Sequence, residues 1–262
     1  MLPSCARASA LALAIIASAC GDDEVVPDGG NPADAAVDAA AADAALDAGD
    51  DLCPGQLTFE ALVADAESSE SVFEVDVAEV DAANQTQSAP NGRAVLCLPL
   101  DRVSEVRSTL ADYLARTDTL DVDAVQQSLG TDQPYPIDVM STAAADLLLS
   151  DLGPDRDPAA TLLLVSVVSY PDAQPLVGAT VTIDEASGGA FARGTAGDFA
   201  PSPDAAIGDG RLLLLANVVD GDDDGRAVIT VAPPDGFSGV CVGPPSVALQ
   251  EGGLSGAFFA CQ

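Results

Sequence analysis

Three aspartates at alternate positions are the clearest candidates for metal chemistry in this sequence. Asp220, Asp222 and Asp224 lie in the run DGDDDG, which fits the D-x-D-x-D-G start of a calcium loop. Alternate carboxylates can converge on a hard cation, and the glycine permits the sharp turn. The twelfth loop position is Val231, where a bidentate carboxylate is needed. Two interpretations stay open, a calcium loop and a solvated acidic hairpin loop.

The cysteines are the second group whose chemistry can be predicted. The chain has six, and those beyond residue 20 are Cys53, Cys97, Cys241 and Cys261. Four cysteines allow three pairings. A boundary between two domains, which an internal repeat indicates, favours Cys53–Cys97 and Cys241–Cys261. No C-x-x-C pair is present and the spacings fit no zinc site, so we predict structural disulfides.

The scarcity of basic residues excludes most catalytic chemistry. The sequence has 42 Asp and Glu residues against nine basic residues, all of them Arg, and a formal net charge of -33. Without His or Lys there can be no Ser-His-Asp or Cys-His unit, no P-loop lysine, no Schiff base and no His-ligated zinc. Nucleic-acid binding is also disfavoured, because phosphates require a basic footprint.

A hydrolase that uses only carboxylates is the remaining catalytic hypothesis. Pairs of acids are unavoidable in so acidic a chain, and the aromatic residues that would stack on sugars make up only 4% of it. Ser238 and Ser255 each lie in a G-x-S-G run, but neither completes G-x-S-x-G, and no His exists to activate them. We therefore predict no catalytic residues and no enzyme activity.

Residues 1–19 have the composition of a secretory signal. Arg7 provides a positive amino-terminal region, and residues 8–19 form an uninterrupted small and apolar stretch. That stretch is too short to span a bilayer, which takes about 20 apolar residues. It runs into Cys20 as ASAC, which resembles a bacterial lipobox. The resemblance implies that Cys20 becomes the first mature residue and carries lipid, whereas ordinary signal cleavage would cut the same bond without lipidation.

An acidic low-complexity segment follows the predicted lipidation site. Gly21 occupies the position where Asp often signals retention in the inner membrane, so we expect the outer membrane, at the cell surface or on the periplasmic face. Residues 21–51 contain neither basic nor aromatic residues. Such a composition cannot bury enough apolar surface to fold, so residues 20–52 are predicted to form a disordered tether. The segment resembles the Ala/Asp-rich spacers of myxobacterial lipoproteins.

The hydrophobic pattern after the tether is that of β-strands. The first run has apolar residues at alternate positions, namely Leu57, Phe59, Ala61 and Val63, with Thr58 and Glu60 between them. In the next run, Val75, Val77 and Val80 lie among Glu74, Asp76 and Glu79. Residues 212–215 form a continuous apolar run, which is typical of a strand buried on both faces. Short strands at close spacing indicate an all-β fold of the sandwich type.

An internal repeat divides this β-rich region. NGRAVL at residues 91–96 returns as DGRAVI at residues 224–229, and QLTFEALV at residues 56–63 has its counterpart in TLLLVSVV at residues 161–168. The Asn-Gly and Asp-Gly pairs predict tight hairpin turns, because they tolerate positive φ. The repeat predicts two tandem sandwiches, at residues 53–135 and 158–262, joined by a linker at residues 136–157.

The repeated runs also carry a family resemblance. PLVGATVTI at residues 175–183, followed by DGRAVI, resembles the carboxypeptidase regulatory-like domain, whose pattern is P-x-x-G-A-x-V and then Asp/Asn-Gly with alternating apolar residues. The first copy keeps NGRAVL but has Val72-Phe73-Glu74 where Gly-Ala is expected. The resemblance implies a transthyretin-like, Ig-like β-sandwich that serves as a folding, spacing or binding module.

Three segments do not follow the strand pattern. Residues 141–152 have a Ser/Thr start, an Ala-rich run and a glycine stop, which predict a helix within the linker. Residues 102–117 fit both helical and strand spacing, and we favour extended structure. The second copy carries an insertion at residues 186–210, rich in Gly, Ala and Pro, for which we expect disorder.

These patterns together predict a non-catalytic envelope lipoprotein. Its sandwiches would stand on the tether and contact a protein or polysaccharide outside the membrane. A calcium-stabilised adhesion or matrix module, with metal at Asp220, Asp222 and Asp224, is the first alternative. A secreted carboxylate hydrolase is the second. We expect no cofactor other than the possible calcium ion.

Overall fold

The computed structural model describes residues 52–100, 102–122, 124–125, 133–221 and 224–262. The predicted signal, Cys20 and the tether up to residue 51 lie outside these residues. The described residues belong to one compact unit. Its strands in the amino-terminal half are β1 Leu57–Asp65, β2 Asp76–Glu79, β3 Gln85–Gln87, β4 Arg93–Leu98, β5 Val103–Thr109, β6 Arg116–Asp121 and β7 Tyr135–Val139.

The carboxy-terminal half begins after helix α1, Thr142–Leu152. Its strands are β8 Thr161–Ser169, β9 Gln174–Pro175, β10 Thr180–Ile183, β11 Gly189–Arg193, β12 Phe199–Pro201, β13 Leu212–Val218, β14 Arg226–Ala232, β15 Cys241–Val242, β16 Ser246–Ala248 and β17 Leu254–Cys261. The chain is therefore β-rich, as the alternating pattern predicts. In the described ranges, no helix combines the length and hydrophobicity that a membrane span requires.

One long sheet contains strands from both halves of the chain. Its order is β12-β11-β13-β8-β17-β6-β5-β2-β3, with β9 attached to β8 and β15 attached to β17. The last strand, β17, pairs in parallel with β6 on one side and with β8 on the other. The halves therefore share a sheet, which differs from the predicted pair of sandwiches separated by a linker.

Two small sheets cover opposite faces of the long sheet. Side chains of β17 alternate between the two resulting cores, which explains why this strand is buried along its whole length. Phe258 and Ala260 pack with the sheet β4-β1-β7. Ala257, Phe259 and Cys261 pack with the sheet β10-β14-β16. The molecule thus has three layers, with the shared sheet in the middle.

The strands that the repeat equates do not occupy equivalent places. In the amino-terminal half, β1 pairs with β4, the strand that begins within NGRAVL. Their counterparts are β8 and β14, and these lie in different sheets: β8 pairs with β13 and β17, whereas β14 pairs with β10 and β16. The repeated motifs form the same local turn and strand in both halves. Residues distant in the sequence determine which strands each of them pairs with.

The two predicted turns form, but neither closes a hairpin. Gly92 and Gly225 have φ of 78° and 72°, the left-handed region that glycine adopts without strain. At Gly92 a Cβ atom would also lie 2.5 Å from the carbonyl oxygen of Val63. The strands before and after each turn belong to different sheets, so each turn carries the chain from the long sheet to a small one.

Helix α1 is confirmed, with both predicted ends. The Ser141 side chain accepts a hydrogen bond from the backbone N–H of Ala144 at 3.1 Å, and Gly153 ends the helix with φ of 114°. The helix packs Ala145 and Leu149 against the long sheet, so it is part of the core and not a free linker. The predicted boundary at residue 136 falls inside β7, which pairs with β1.

The other two ambiguous segments are strands. Residues 103–109 form β5 and residue 116 begins β6, which confirms the extended interpretation of this region. The insertion at residues 186–210 contains β11 and β12, which extend the long sheet beyond β13. The expectation of disorder there is wrong. Backbone pairing to a buried strand compensates for the low apolar content of the insertion.

Candidate functional site

The two predicted disulfides are present. Cys53 is bonded to Cys97 in β4, with Cα atoms 5.3 Å apart, and Cys241 of β15 is bonded to Cys261 of β17. The first bond lies where the predicted tether joins the folded unit, four residues before β1 begins at Leu57. The second joins the last strand to its neighbour. Each bond therefore holds one end of the folded unit.

The acidic loop does not assemble a metal site in the residues that the structure describes. Asp222 lies outside them. Asp220 accepts a hydrogen bond from the Gly225 N–H at 2.6 Å, and Asp224 accepts one from the Arg226 N–H at 2.8 Å. Within the described part of the chain, no group of three or more His, Cys, Asp or Glu side chains could hold a metal ion. The aspartates that are described stabilise a turn, and calcium binding here stays a prediction.

A buried ion pair lies between the shared sheet and the sheet β4-β1-β7. Arg116 and Asp118, both in β6, are 3% and 0% exposed. The guanidinium donates two parallel hydrogen bonds to the carboxylate, from Nε to Oδ2 at 2.7 Å and from Nη2 to Oδ1 at 2.6 Å. Its Nη1 donates to the Asp138 carbonyl, and the Tyr135 hydroxyl donates to Asp118 Oδ1 at 3.2 Å. Every charged group in this cluster has hydrogen-bond partners.

The protonation of this cluster follows from its neighbours. Burial opposes the positive charge of Arg116, but the adjacent Asp118 carboxylate outweighs that effect and raises the pKa of the guanidinium above its ordinary value. Burial, followed by the same carboxylate, raises the pKa of Tyr135 well above the ordinary value of 10.0. Tyr135 therefore stays a hydrogen-bond donor at any physiological pH. The raised pKa values of Arg116 and Tyr135 keep both side chains protonated, so each acts as a hydrogen-bond donor to Asp118.

An open groove lies on the face of the long sheet that also carries the buried ion pair, and it is the best candidate for a binding site among the described residues. Helix α1 forms one wall, the turn between β11 and β12 forms the other, and the cavity between them measures about 220 Å³. Met140 and the half-buried Leu148 and Phe199 provide an apolar floor. Leu147 projects at the edge and is 59% exposed. The groove is thus built by the carboxy-terminal end of β7, the helix and the insertion.

Three carboxylates surround this groove. Glu67, Asp151 and Asp198 line it and are exposed. The nearby Arg193 has its guanidinium 6.0 Å from the Phe199 ring and donates to the carbonyls of Ala66 at 3.2 Å and Gly197 at 3.3 Å. Arg193 therefore holds the insertion against the β1 end, which places Phe199 in the groove. The rim keeps an excess of negative charge.

The loop that carries Ala66 and Glu67 is fixed by Asp65. Its Oδ1 accepts hydrogen bonds from the backbone N–H groups of Glu67 and Ser68 at 3.0 and 2.9 Å, and its Oδ2 accepts one from the Tyr113 hydroxyl at 3.2 Å. Partial burial of Asp65 favours the neutral acid, but these donors outweigh it and lower the pKa below its ordinary value of 3.8.

We expect the Asp65→Asn variant to lose stability in a pH-dependent way. A lowered pKa means that ionised Asp65 stabilises the fold above pH of about 4, and that this contribution disappears as pH falls through the folded-state pKa. The difference in free energy of unfolding between wild type and variant should be constant from pH 7 to about pH 5 and shrink below about pH 4. Urea unfolding followed by circular dichroism at each pH measures it. A difference that grew on acidification would contradict this assignment.

Sequence reasoning did not identify the groove. The predicted site residues Cys53, Cys97, Asp220 and Asp224 lie elsewhere, and Cys20 and Asp222 fall outside the described residues. One signal was present in the helix: Leu147, Leu148 and Leu149 are consecutive, so a single buried face cannot accommodate all three. The contribution of Phe199 carried no such signal, because it depends on how the insertion folds.

Comparison with known proteins adds little. No family model matches the sequence, and no curated protein is similar to it. The TIE protein of Bacillus anthracis has a TM-score of 0.27 and 11% identity over 79% of this chain, which spans about a third (34%) of that protein. The minor pilin GBS52 of Streptococcus agalactiae has a TM-score of 0.28 and 7% identity, covering 78% of this chain and 94% of the pilin. The shaft pilin SpaA of Lactobacillus rhamnosus GG, as a double mutant, has a TM-score of 0.26 and 10% identity, covering 79% and 98%. Similarities at this level carry no argument about function.

Proposed function

We propose that this chain is a non-catalytic module of the cell envelope, exported and held at the outer membrane by lipid on Cys20. The predicted tether separates the module from the membrane, and the folded unit contacts a protein or polysaccharide partner there. The observation that carries this proposal is the Cys53–Cys97 disulfide at the junction between tether and fold.

The disulfides support export. Such bonds persist in oxidising compartments and are rare in the cytosol. The Cys53–Cys97 disulfide attaches the segment before β1 to β4, and the Cys241–Cys261 disulfide attaches β15 to β17. Each disulfide therefore holds one end of the folded unit in place. An exported location also agrees with the signal-like residues 1–19.

The position of the first disulfide supports attachment through the amino terminus. A pull on the tether would otherwise separate β1 from β4 one residue pair at a time, beginning at Leu57 and Leu98. Because Cys53 is bonded to Cys97 of β4, a pulling force on the tether is transmitted through the disulfide to β4 and does not act first on the hydrogen bonds between β1 and β4. A disulfide that closes a loop of this length, with a sequence separation of 44, stabilises the fold by about 4 kcal/mol.

The interior supports a structural and binding role over catalysis. The buried polar cluster of Arg116, Asp118 and Tyr135 is enclosed between sheets and fully hydrogen-bonded, so it offers no reacting atom to a substrate. The β-rich layers agree with the sandwich-type module that the family resemblance implies.

Lipidation of Cys20 is the decisive test. We expect the full chain, expressed in a Gram-negative bacterium, to fractionate with membranes and to yield an amino-terminal peptide whose mass includes lipid on Cys20. The Cys20→Ser variant should be found in the soluble fraction. Cys5→Ser is the matched control and should behave as wild type, because Cys5 leaves with the signal.

Protease treatment of intact cells then distinguishes the two faces of the membrane. Loss of the folded unit places it outside the cell, and protection until the outer membrane is opened places it in the periplasm. A wild-type chain that stays soluble and carries no lipid would overturn the proposal.

A further inference from the structure

The groove between helix α1 and the β11–β12 turn combines two features that together specify a ligand. Its floor is apolar, with Met140, Leu148 and Phe199, and Leu147 is left 59% exposed at its edge. A large exposed leucine beside a concave apolar floor offers surface that a ligand side chain can remove from water. The volume of about 220 Å³ is enough for one leucine- or phenylalanine-sized side chain.

The rim determines the charge of that ligand. Glu67, Asp151 and Asp198 approach the groove from three different elements, namely the loop after β1, the helix and the β11–β12 turn. The neighbouring cation, Arg193, donates from Nη2 to the Ala66 carbonyl and from Nε to the Gly197 carbonyl, and its single positive charge leaves the three carboxylates in excess. A ligand with an apolar side chain next to a positively charged group would complement both the apolar floor and the acidic rim of the groove.

We propose that this groove binds a peptide segment of another protein in which an apolar side chain is flanked by arginine or lysine. The apolar side chain lies on Met140, Leu148 and Phe199. The long stems of the flanking basic residues lie along Leu147 and extend their charges to the rim carboxylates. This site goes beyond the proposed envelope function and holds whether or not Cys20 is lipidated.

Charge also disfavours two occupants that this chain could supply, the predicted tether and a second copy. The predicted tether, residues 21–51, is acidic and contains no basic residue, so the rim repels it. A second copy carries the same large negative charge, since the chain totals -33. A partner of opposite sign is therefore favoured, and its association should be fast and sensitive to salt.

Synthetic labelled peptides test the proposal on the full chain. The first peptide carries leucine between arginines, the second replaces the leucine with asparagine, and the third replaces the arginines with glutamate. Fluorescence anisotropy should show saturable binding of the first peptide, about tenfold weaker binding of the second, and none of the third. Added salt should weaken the first interaction. Equal binding of the first two peptides would show general attraction to an acidic protein and would overturn the proposal.

Variants locate the site. Leu147→Asp should weaken binding of the first peptide about tenfold, since it removes apolar contact, and Leu100→Asp is the matched control at another exposed leucine. Asp151→Lys should weaken binding and reduce its salt dependence, whereas Asp172→Lys, which is outside the groove, should not.

All four variants change exposed side chains, and circular dichroism verifies that each is folded. Equal loss in Leu147→Asp and Leu100→Asp would overturn the site. Self-association of wild type that Leu147→Asp abolishes would overturn the proposed occupant in favour of a second copy.

Discussion

Replacing Arg116 with methionine is expected to lower the free energy of unfolding by about 3–5 kcal/mol, the cost of leaving one member of a buried ion pair without its partner. Asp118 is fully buried, and two of its hydrogen bonds come from Arg116. Without the guanidinium, the carboxylate must either stay charged in an apolar core or take up a proton. Urea unfolding followed by circular dichroism measures the change.

Two further variants distinguish this effect from simple loss of charge. Arg93→Met removes the exposed pair between Arg93 and Glu60, and it should cost no more than about 1 kcal/mol. A triple variant, Arg116→Met with Asp118→Val and Tyr135→Phe, removes the three polar side chains of the cluster and should recover much of the lost stability. An Arg116→Met variant as stable as Arg93→Met would contradict the buried-pair interpretation.

Replacing Gly256 with alanine is expected to destabilise the fold by about 3 kcal/mol. Gly256 lies in β17 directly beside Asp118 of β6 in the parallel register. A Cβ atom there would lie 1.9 Å from Asp118 Oδ1 and 2.8 Å from Arg116 Nη2. The added methyl group must displace the ion pair or separate β17 from β6, and either change disrupts the connection between the two halves.

A double-mutant cycle identifies the cause. All three heavy atoms nearest to the added Cβ belong to the side chains of Arg116 and Asp118. In an Arg116→Met/Asp118→Ala background, the cost of Gly256→Ala should therefore fall to about 1 kcal/mol or less. An unchanged cost in that background would show that the strain arises in the backbone of β17 and not at the ion pair.

The ion pair and Gly256 together favour the observed register of the last strand against β6. Parallel pairing of β17 with β6 brings the carboxy terminus to the centre of the shared sheet. A one-residue shift of register would place a side chain other than hydrogen against Asp118, because Ser255 and Ala257 flank Gly256. The buried pair thus penalises the wrong register, which is the role best attested for buried polar groups.

The groove proposed to bind a peptide depends on this architecture. The long sheet and helix α1 provide a rigid base, and the insertion adds Asp198 and Phe199 at the edge of that base. Binding residues on a loop held by a rigid scaffold can be ordered before a ligand arrives, which reduces the entropy lost on binding. The Arg193 hydrogen bonds to Ala66 and Gly197 hold this loop in place.

Features that depend only on neighbouring residues can be predicted from the amino-acid sequence. The alternation at residues 57–63 identifies β1, Ser141 and Gly153 mark the ends of α1, and the Asn-Gly and Asp-Gly pairs mark two turns. In each case the hydrogen bond or backbone angle involved spans only a few positions. The disulfide pairing was also predicted correctly from three possible combinations, although the tandem division used to choose it differs from the observed shared sheet.

The pairing of the strands and the contacts of the buried side chains could not be predicted from local sequence. NGRAVL and DGRAVI are nearly identical, yet β4 pairs with β1 while β14 pairs with β10 and β16. The buried contact of Arg116 with Asp118, the packing of Gly256 against it, and the groove beside Phe199 likewise join residues that the local pattern does not relate. Their energies come from burial and from contacts between distant parts of the chain, so they exist only once the three layers have assembled.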